Sequence, residues 1–337
     1  MTCLAHITTG YPIGEVRTMK VVFCEKFGTH KDLVVREIDP PSSPAAGEIT
    51  VDVSVRSIQF SDIVRIQGNY QDNREPPFIM GGDGVGVVSA VGEGSQLAEG
   101  DIVLTGAGCV EQATVPETSV LPLPSGIDMA AASSFRAGYT TALHGLQLSR
   151  IQPGESLLVH GAAGGMGLAA VDIGKLMGAR VIATASSDDK LAILSSLGAD
   201  HMINYSDGFR DEVKSLTNGR GADVIFDPVG GDVFDESMRC IAPYGRVLIV
   251  GFTSGRPALA KTNHLLVKDA QLIGYTMGGL MRHDPKKHEI NVATLLDWLA
   301  HGRISPYISH QFPMDDIVDA YDVLVGRKVV GKVVITN

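Results

Sequence analysis

Cysteine is scarce in this 337-residue chain, and the four present, Cys3, Cys24, Cys109 and Cys240, are scattered with no C-x-x-C pair. That spacing argues against a disulfide framework and against a cysteine-rich zinc site. Basic residues are outnumbered: 28 Lys and Arg stand against 38 Asp and Glu, a formal net charge of -10. A nucleic-acid binder needs a basic face to neutralise phosphate, so that class is disfavoured, while a local basic pocket for an anionic cofactor is not. No apolar run approaches the ~18 residues needed to cross a bilayer, so no membrane partner is expected. Residues 1–18 hold Gly10, Pro12, Gly14, Glu15 and Arg17 but lack the apolar stretch of a secretory signal. They read as a dispensable N-terminal extension, and the chain reads as cytoplasmic.

What is present divides by style. The length suits two domains. From Met19 to about residue 125 the text is β-like. Ile49, Val51, Val53 and Val55 alternate with Thr50, Asp52 and Ser54, the period of a half-buried strand. Short apolar runs then recur between glycines, as in Gly84–Val88, which suits a small barrel-like unit. A helix is expected over Met129–Leu148. Strand–helix alternation follows, with strands expected at Ser156–His160, Arg180–Ala185, His201–Asn204, Asp223–Phe226, Val247–Val250 and Gln271–Gly274. Repeated βα units of this size predict an α/β fold with a doubly wound parallel sheet. A helix at Ile290–His301 and a strand at Gly331–Thr336 close the chain.

The strongest local signal is Leu157-Leu158-Val159-His160-Gly161-Ala162-Ala163-Gly164-Gly165-Met166-Gly167. A buried strand runs into a glycine-rich turn that opens a helix. Gly164 and Gly165 would let the backbone approach a pyrophosphate at the helix N-terminus, with Met166 in its first turn, and Gly167 would let helix and strand pack closely. Ala162 replaces the first glycine of the usual fingerprint, but the strand–turn–helix context supports dinucleotide binding.

The end of the next strand bears on the ribose. NAD-preferring folds place an acid about 20 residues on. Here the run is Ala185-Ser186-Ser187-Asp188-Asp189-Lys190. Two hydroxyls and a lysine suit a 2′-phosphate, and hence NADPH. Two other readings stand beside this one: Ser186 caps the next helix with Asp189 as its box partner, or Asp188 swings in as the ribose acid.

The order of β-rich unit, Rossmann unit and short return segment resembles the zinc-free medium-chain dehydrogenase/reductase superfamily over residues 19–337. Within it the chain resembles the zeta-crystallin-like NADPH:quinone oxidoreductases. The motifs that carry this are Gly161–Gly167, Leu197–Tyr205, Asp227-Pro228-Val229-Gly230-Gly231 and Gly331-Lys332-Val333-Val334. The resemblance implies a GroES-like catalytic domain built from 19–140 and 278–337, around an NADPH-binding Rossmann domain at 141–277. It implies that Lys190 and Tyr205 hold the adenosine phosphate end, that Thr140 lies near the nicotinamide, and that Val250, Gly251 and Phe252 meet the carboxamide. Val229 belongs to a second strand-end loop on the cofactor. Arg327 is matched to an arginine that reaches the cofactor from the return segment; a solvated surface charge is the plainer reading. A homodimer is implied too, with an edge strand near Val247–Gly274 as its interface.

Zinc-bearing relatives carry a Cys-x-x-Asp and a Gly-His-Glu where this chain has Gln59-Phe60-Ser61-Asp62 and Gly81-Gly82-Asp83. Gln59 and Gly82 supply neither thiolate nor imidazole, so no metal site is expected. Four polar residues remain as substrate-site candidates: Gln59, Ser61, Tyr70 and Arg136. Ser61 also reads as a backbone-bonded hydroxyl, Tyr70 as a loop-packing ring, and Arg136 as a surface ion pair. Tyr70, in Ile66-Gln67-Gly68-Asn69-Tyr70, resembles the proton-donating tyrosine of mitochondrial-type 2-enoyl-thioester reductases. With no metal to polarise a carbonyl, the small-molecule substrate is expected to be polarised otherwise or intrinsically electrophilic, a quinone or related enone. An enoyl-CoA or alkenal reductase is the alternative, and a non-catalytic cofactor binder the third class. His160 reads as packed, and His283 and His288, flanking Asp284 and two lysines, as a solvated loop.

Overall fold

A computed structural model describes residues 18–71 and 74–337. The expected extension 1–18 therefore lies, apart from Thr18, outside the described residues. The elements in chain order are β1 Met19–Cys24, β2 Val34–Ile38, β3 Glu48–Ile58, α1 Phe60–Ile66, β4 Phe78–Ile79, β5 Gly84–Val91, β6 Ile102–Thr105, β7 Gln112–Pro116, β8 Leu121–Pro122 and α2 Met129–Ser149. Then come β9 Ser156–Val159, α3 Gly165–Leu176, β10 Arg180–Ala185, α4 Asp188–Ser196, β11 His201–Asn204, α5 Arg210–Leu216, β12 Ala222–Asp227, α6 Gly231–Cys240, β13 Ile241–Ile249, α7 Thr262–Lys268 and β14 Gln271–Gly274. The chain closes with α8 Met277–His283, α9 Pro285–Ala300, β15 Ile308–Pro313, α10 Ile317–Val325 and β16 Lys332–Thr336.

Six strands form a wholly parallel sheet in the order β11-β10-β9-β12-β13-β14. Its central strands are covered on both faces: β9 is buried throughout, as is β12. That is the pattern of a sheet covered by helices on either side. The order reverses between β9 and β12, and the crevice above such a switch point is where ligands bind in this architecture. A second sheet, β15-β16-β3-β5-β6-β8 with β7 also on β3, joins strands from both chain ends. β16 pairs antiparallel with β3 across 281 residues, Thr336 beside Val55. A small third sheet, β2-β1-β4, packs on the second: the Val22 amide donates to the Cys109 carbonyl at 2.9 Å, and Val21 shares an apolar core with Ile49, Val51 and Val53 of β3. The α/β class with a β-rich GroES-like unit and a Rossmann sheet thus stands as expected.

Helix α2 ties the two sheets together. Asp128 caps it, accepting from the Ala130 and Ala131 amides at 2.9 and 3.2 Å. Its small residues allow close approach, and it runs without a break through residues 140 and 141. One apolar core gathers Phe135, Leu143 and Leu146 of α2, Leu157 and Val159 of β9, Leu168 of α3, and Val55, Val85 and Leu104 of the second sheet. Phe135 and Leu146 are wholly buried, each contributing about 1.5–3 kcal/mol of apolar transfer. The two sheets are thereby held at a fixed spacing above the switch point.

Two expectations needed correction. The helix expected from Ile290 starts at Pro285, because Asp284 caps it by accepting from the Lys287 amide at 3.1 Å and Pro285 fits its first turn. His288 consequently lies on α9, half-buried against α2, and not in a solvated loop. His160 is packed as expected, wholly buried at the end of β9.

Candidate functional site

The strand ends and the glycine turn converge on one crevice. Gly161 to Gly164 form the turn after β9, and α3 begins at Gly165 with Gly164 as a cap that offers no side chain. The first amides of α3 are left unpaired by helix geometry and point outward. Gly167 cannot be larger, since a Cβ there would lie 2.3 Å from the Gly161 carbonyl oxygen. Gly165 has a different constraint from the one expected: a Cβ would meet the Lys332 side chain at 2.8 Å and the Gly331 oxygen at 3.0 Å. The return segment docks there, with the Gly331 amide donating to the Ala163 oxygen at 2.7 Å.

Two strand-end loops meet opposite the turn. The Val250 amide donates to the Asp227 carbonyl at 3.0 Å, and the Thr253 and Ser254 amides donate to the Pro228 and Val229 carbonyls at 3.1 and 3.0 Å. Asp227 orders this loop by accepting from the Val229 and Gly230 amides at 2.8 and 2.9 Å. Val229 faces Gly161 across the switch point. Val229, Val250, Gly251 and Phe252 are thus brought to the same crevice. Thr140 stands buried on α2 nearby in the core, its hydroxyl donating to the Arg136 carbonyl.

At the end of β10 the two serine hydroxyls are uncommitted. Ser187 caps α4 without a side-chain bond, and Ser186 makes none either, so the Ser186–Asp189 box does not form. Asp188 accepts from the Asn204 amide at 2.8 Å, which holds it against β11. Tyr205 follows directly on Asn204. Lys190 reaches across 137 residues to donate to the Arg327 carbonyl at 2.7 Å. Burial holds the Lys190 ammonium below its ordinary range, and the Arg327 charge adds to that. Arg327 has φ 54, a left-handed conformation at the C-terminus of α10 where glycine is usual. Two cations, one on a strained backbone, share one site with no carboxylate pairing either of them among the described residues. A phosphate would relieve that repulsion.

The substrate-side candidates gather around a set of buried charges. Gln59 caps α1, and its side-chain amide lies 3.6 Å from where a Cβ at Gly82 would stand. Beside it, Asp83 pairs with Arg136, and Asp83 is only 6% exposed; the Arg136 pair is therefore not an ordinary surface one. Asp62, almost wholly buried, accepts from the Gln59 amide at 2.8 Å, from Arg65 at 3.0 Å and from the Tyr321 hydroxyl at 3.3 Å. Burial pushes its carboxyl up. The Arg65 guanidinium lies over the Tyr70 ring, 4.4 Å from its centroid, which fixes the ring's place. Ser61, in the first turn of α1, makes no side-chain hydrogen bond, so the backbone-bonded reading does not hold.

Sequence reasoning missed Lys332. It follows the return-segment glycine, its chain lies across Gly165, and it is nearly buried. Burial lowers its ammonium, opposed by the fields of Asp83 and Asp62. It therefore links the glycine turn to the carboxylates beside Gln59 and Arg136. The available signal was a lysine inside a valine-rich strand, Gly331-Lys332-Val333-Val334. By contrast, the groove between α5 and α6, about 630 Å³, is lined by six carboxylates against two arginines, Arg210 and Arg239, and its net negative charge disfavours a dinucleotide.

Comparison with known proteins agrees with this geometry. Residues 45–129 match the alcohol dehydrogenase GroES-like domain, and residues 165–296 match the family described as zinc-binding dehydrogenase. The quinone oxidoreductase-like protein 2 homolog of Nematostella vectensis is 36% identical over 336 residues, covering 97% of this chain and 91% of that protein. The crystal structure of Escherichia coli quinone oxidoreductase complexed with NADPH superposes with a TM-score of 0.84 at 25% identity, over 94% of this chain and 100% of that one. The CurK enoyl reductase structure gives 0.82 at 27% identity, over 94% and 99%. The chain belongs to the quinone oxidoreductase family of the medium-chain dehydrogenase/reductase superfamily.

Proposed function

We propose that this chain is an NADPH-dependent quinone oxidoreductase, delivering hydride to a quinone or related conjugated carbonyl without a metal. The observation that carries the cofactor half is the Lys190–Arg327 site, where two adjacent cations await an anion. Ser186, Ser187 and Tyr205 border it, and the turn at Gly164, Gly165, Met166 and Gly167 accepts the pyrophosphate. The likeness to an NADPH-complexed quinone oxidoreductase supports the choice. Bound NADPH supplies the hydride; everything else is positioning and electrostatics from the protein.

Gln59 and Arg136 are the donors proposed for the acceptor oxygen as it gains negative charge. Asp83 holds Arg136 in place, and Lys332 adds positive field from below. Gln59 and Gly82 leave a zinc ion without thiolate or imidazole, and among the described residues no group of three His, Cys, Asp or Glu is set to hold a metal. Chelators are accordingly expected to leave activity unchanged, and stoichiometric zinc in the purified protein would contradict the reading.

The alternative is reduction of a C=C bond in an enoyl thioester or alkenal, supported by Tyr70 and by the likeness to CurK. The two differ in what happens after hydride arrives. An enolate must be protonated at carbon, where a placed acid is worth about 10²–10⁴. A hydroquinone anion is stabilised and takes its proton from water. Tyr70→Phe, which keeps the ring beneath Arg65, is expected to retain most quinone turnover. NADPH oxidation with 9,10-phenanthrenequinone and with crotonyl-CoA, run side by side, decides between them. Faster crotonyl-CoA turnover that collapses in the Phe variant would favour the enoyl reductase.

The proposed division is 19–140 and 278–337 for the catalytic unit and 141–277 for the cofactor unit. A homodimer through β14 is proposed as well. β14 is the edge of the parallel sheet, and the nearby helix α7 exposes Leu266 and Val267, the feature of a surface awaiting a symmetric copy. A cytoplasmic location is proposed from the unpaired cysteines; no helix among the described residues is long and apolar enough to cross a membrane.

A further inference from the structure

One short segment, Arg327 to Lys332, runs from the Lys190–Arg327 site to the charges beside Gln59. At its near end Arg327 is exposed and left-handed, with φ 54. The Lys190 ammonium holds the Arg327 carbonyl at 2.7 Å while the two charges repel each other. At its far end the Gly331 amide donates to the Ala163 carbonyl of the glycine turn at 2.7 Å, and the Lys332 amide donates to the Tyr307 carbonyl at 2.8 Å. Gly331 has φ 70, and a Cβ there would lie 2.0 Å from the Tyr307 oxygen, so this docking admits only glycine. Between the ends the chain is gripped from two sides. Val329 is buried in a core with Ile63, Ile66 and Tyr321, and Val330 in another with Leu157 and Leu168.

Such a stretch has little freedom to bend between its ends, so it lifts as one piece. At the near end a single hydrogen bond to α4 opposes lifting. The repulsion of two cations favours it, as does a left-handed residue whose cost the surroundings must offset. Segments open locally with free energies set by the contacts they would lose. A phosphate between Lys190 and Arg327 turns repulsion into attraction and suppresses the opening. We propose that residues 327–332 form a strap through which the 2′-phosphate of the cofactor fixes Lys332 at the acceptor site. This rests on the NADPH reading above and goes beyond it, because the phosphate then contributes to turnover of bound cofactor as well as to affinity. The stem of Lys332 lies across Gly165, and its ammonium stands in the fields of Asp83 and Asp62. Asp83 in turn holds Arg136. Lys332 is therefore a positioning residue, acting through the Asp83–Arg136 pair. NADH, without the phosphate, leaves the strap free to lift.

Amide exchange followed by mass spectrometry reads the strap without any turnover. Saturating adenosine 2′,5′-bisphosphate is expected to slow exchange at Gly331 and Lys332 about tenfold relative to saturating adenosine 5′-monophosphate, the effect of one charge-assisted hydrogen bond. Arg327→Gly removes the cation and keeps the left-handed backbone without strain; in it the two nucleotides are expected to protect equally. Turnover at saturating cofactor, with whichever of 9,10-phenanthrenequinone and crotonyl-CoA is reduced, is expected to be about fivefold faster with NADPH than with NADH, the scale of coupling between linked sites. Inorganic phosphate is expected to raise the NADH rate in the parent and not in Arg327→Gly. Equal exchange with the two nucleotides in the parent would overturn the proposal. Equal kcat with the two cofactors would overturn it too, by severing the strap from the acceptor site. If the bisphosphate binds no tighter than the monophosphate, the NADPH reading fails and the strap with it; if it binds tighter and exchange is unchanged, the strap alone fails.

Discussion

Removing both cations, in Lys190→Ala with Arg327→Ala, is expected to weaken NADPH binding about 100-fold and to leave NADH binding nearly unchanged. A charge-assisted hydrogen bond contributes about 1.5–3 kcal/mol, or on the order of tenfold to a hundredfold in affinity. The two side chains are proposed to serve one phosphate, so their effects are not expected simply to add; Lys190→Ala alone is expected to cost tenfold or more. Lys190 donates to the Arg327 carbonyl, so the ammonium is already positioned beside the guanidinium's own residue. Arg327 keeps a left-handed backbone that a glycine would adopt without cost. Titration of each cofactor, followed by nicotinamide fluorescence, measures the ratio. Equal losses for NADPH and NADH would remove both residues from the 2′-phosphate site.

The parts legible in the sequence are those fixed by local pattern. Arg180–Ala185, His201–Asn204 and Gln271–Gly274 are strands with the bounds expected, because short apolar runs spaced between helical stretches have one reading in a βα series. The Gly161–Gly167 turn was legible for the same reason: strand, glycines and helix follow each other directly. β13 is delimited from Ile241, six residues before the expected Val247, but its pairing jumps from Ile241 to Arg246, and Ala242-Pro243-Tyr244-Gly245, with Tyr244 at φ 61, bulges out of the sheet as the turn that its sequence suggests. α9 was set too short, although Asp284 followed by Pro285 is a helix-start signal. That error placed His288 in solvent and hid its approach to His144.

The charges beside Gln59 were not legible, because they depend on contacts across the whole chain. Tyr321 reaches Asp62 over 259 residues, and Arg136 reaches Asp83 over 53. No periodicity encodes such pairs. Lys332 shows the limit most plainly. Its residue type was visible, but its place between Gly165 and the two carboxylates follows only from the docking of the return segment on the glycine turn. The residues proposed to hold the cofactor depend less on such pairs, because a doubly wound sheet delivers its strand ends to one crevice whatever the side chains are.

The second large effect concerns stability in acid and falls on His160. Its imidazole is wholly buried, bonded to the Thr184 hydroxyl at 3.1 Å and the Ser237 hydroxyl at 2.8 Å, and packed against Phe209. Burial lowers its pKa to about 3, from an ordinary 6.5. Between those values the unfolded chain carries a proton at this residue and the folded chain does not. Stability therefore rises with pH across the window, is complete above about pH 6.5, and is lost progressively below it. One proton corresponds to about 1.4 kcal/mol per pH unit, or about 2 kcal/mol between pH 6.5 and 5. That is a large share of a typical folding free energy of about 5–15 kcal/mol. His144 and His288 are lowered too and act with the same sign. Asp62, Asp172 and Asp227 are raised by burial and act in the opposite sense, from just above the ordinary carboxylate range. His160→Gln keeps a hydrogen-bonding side chain and removes the titration. The variant is expected to be less stable than the parent at pH 8 but to lose less on acidification, so that the two unfolding midpoints draw together toward pH 5. Parallel midpoints across that range would show that His160 is not the group responsible.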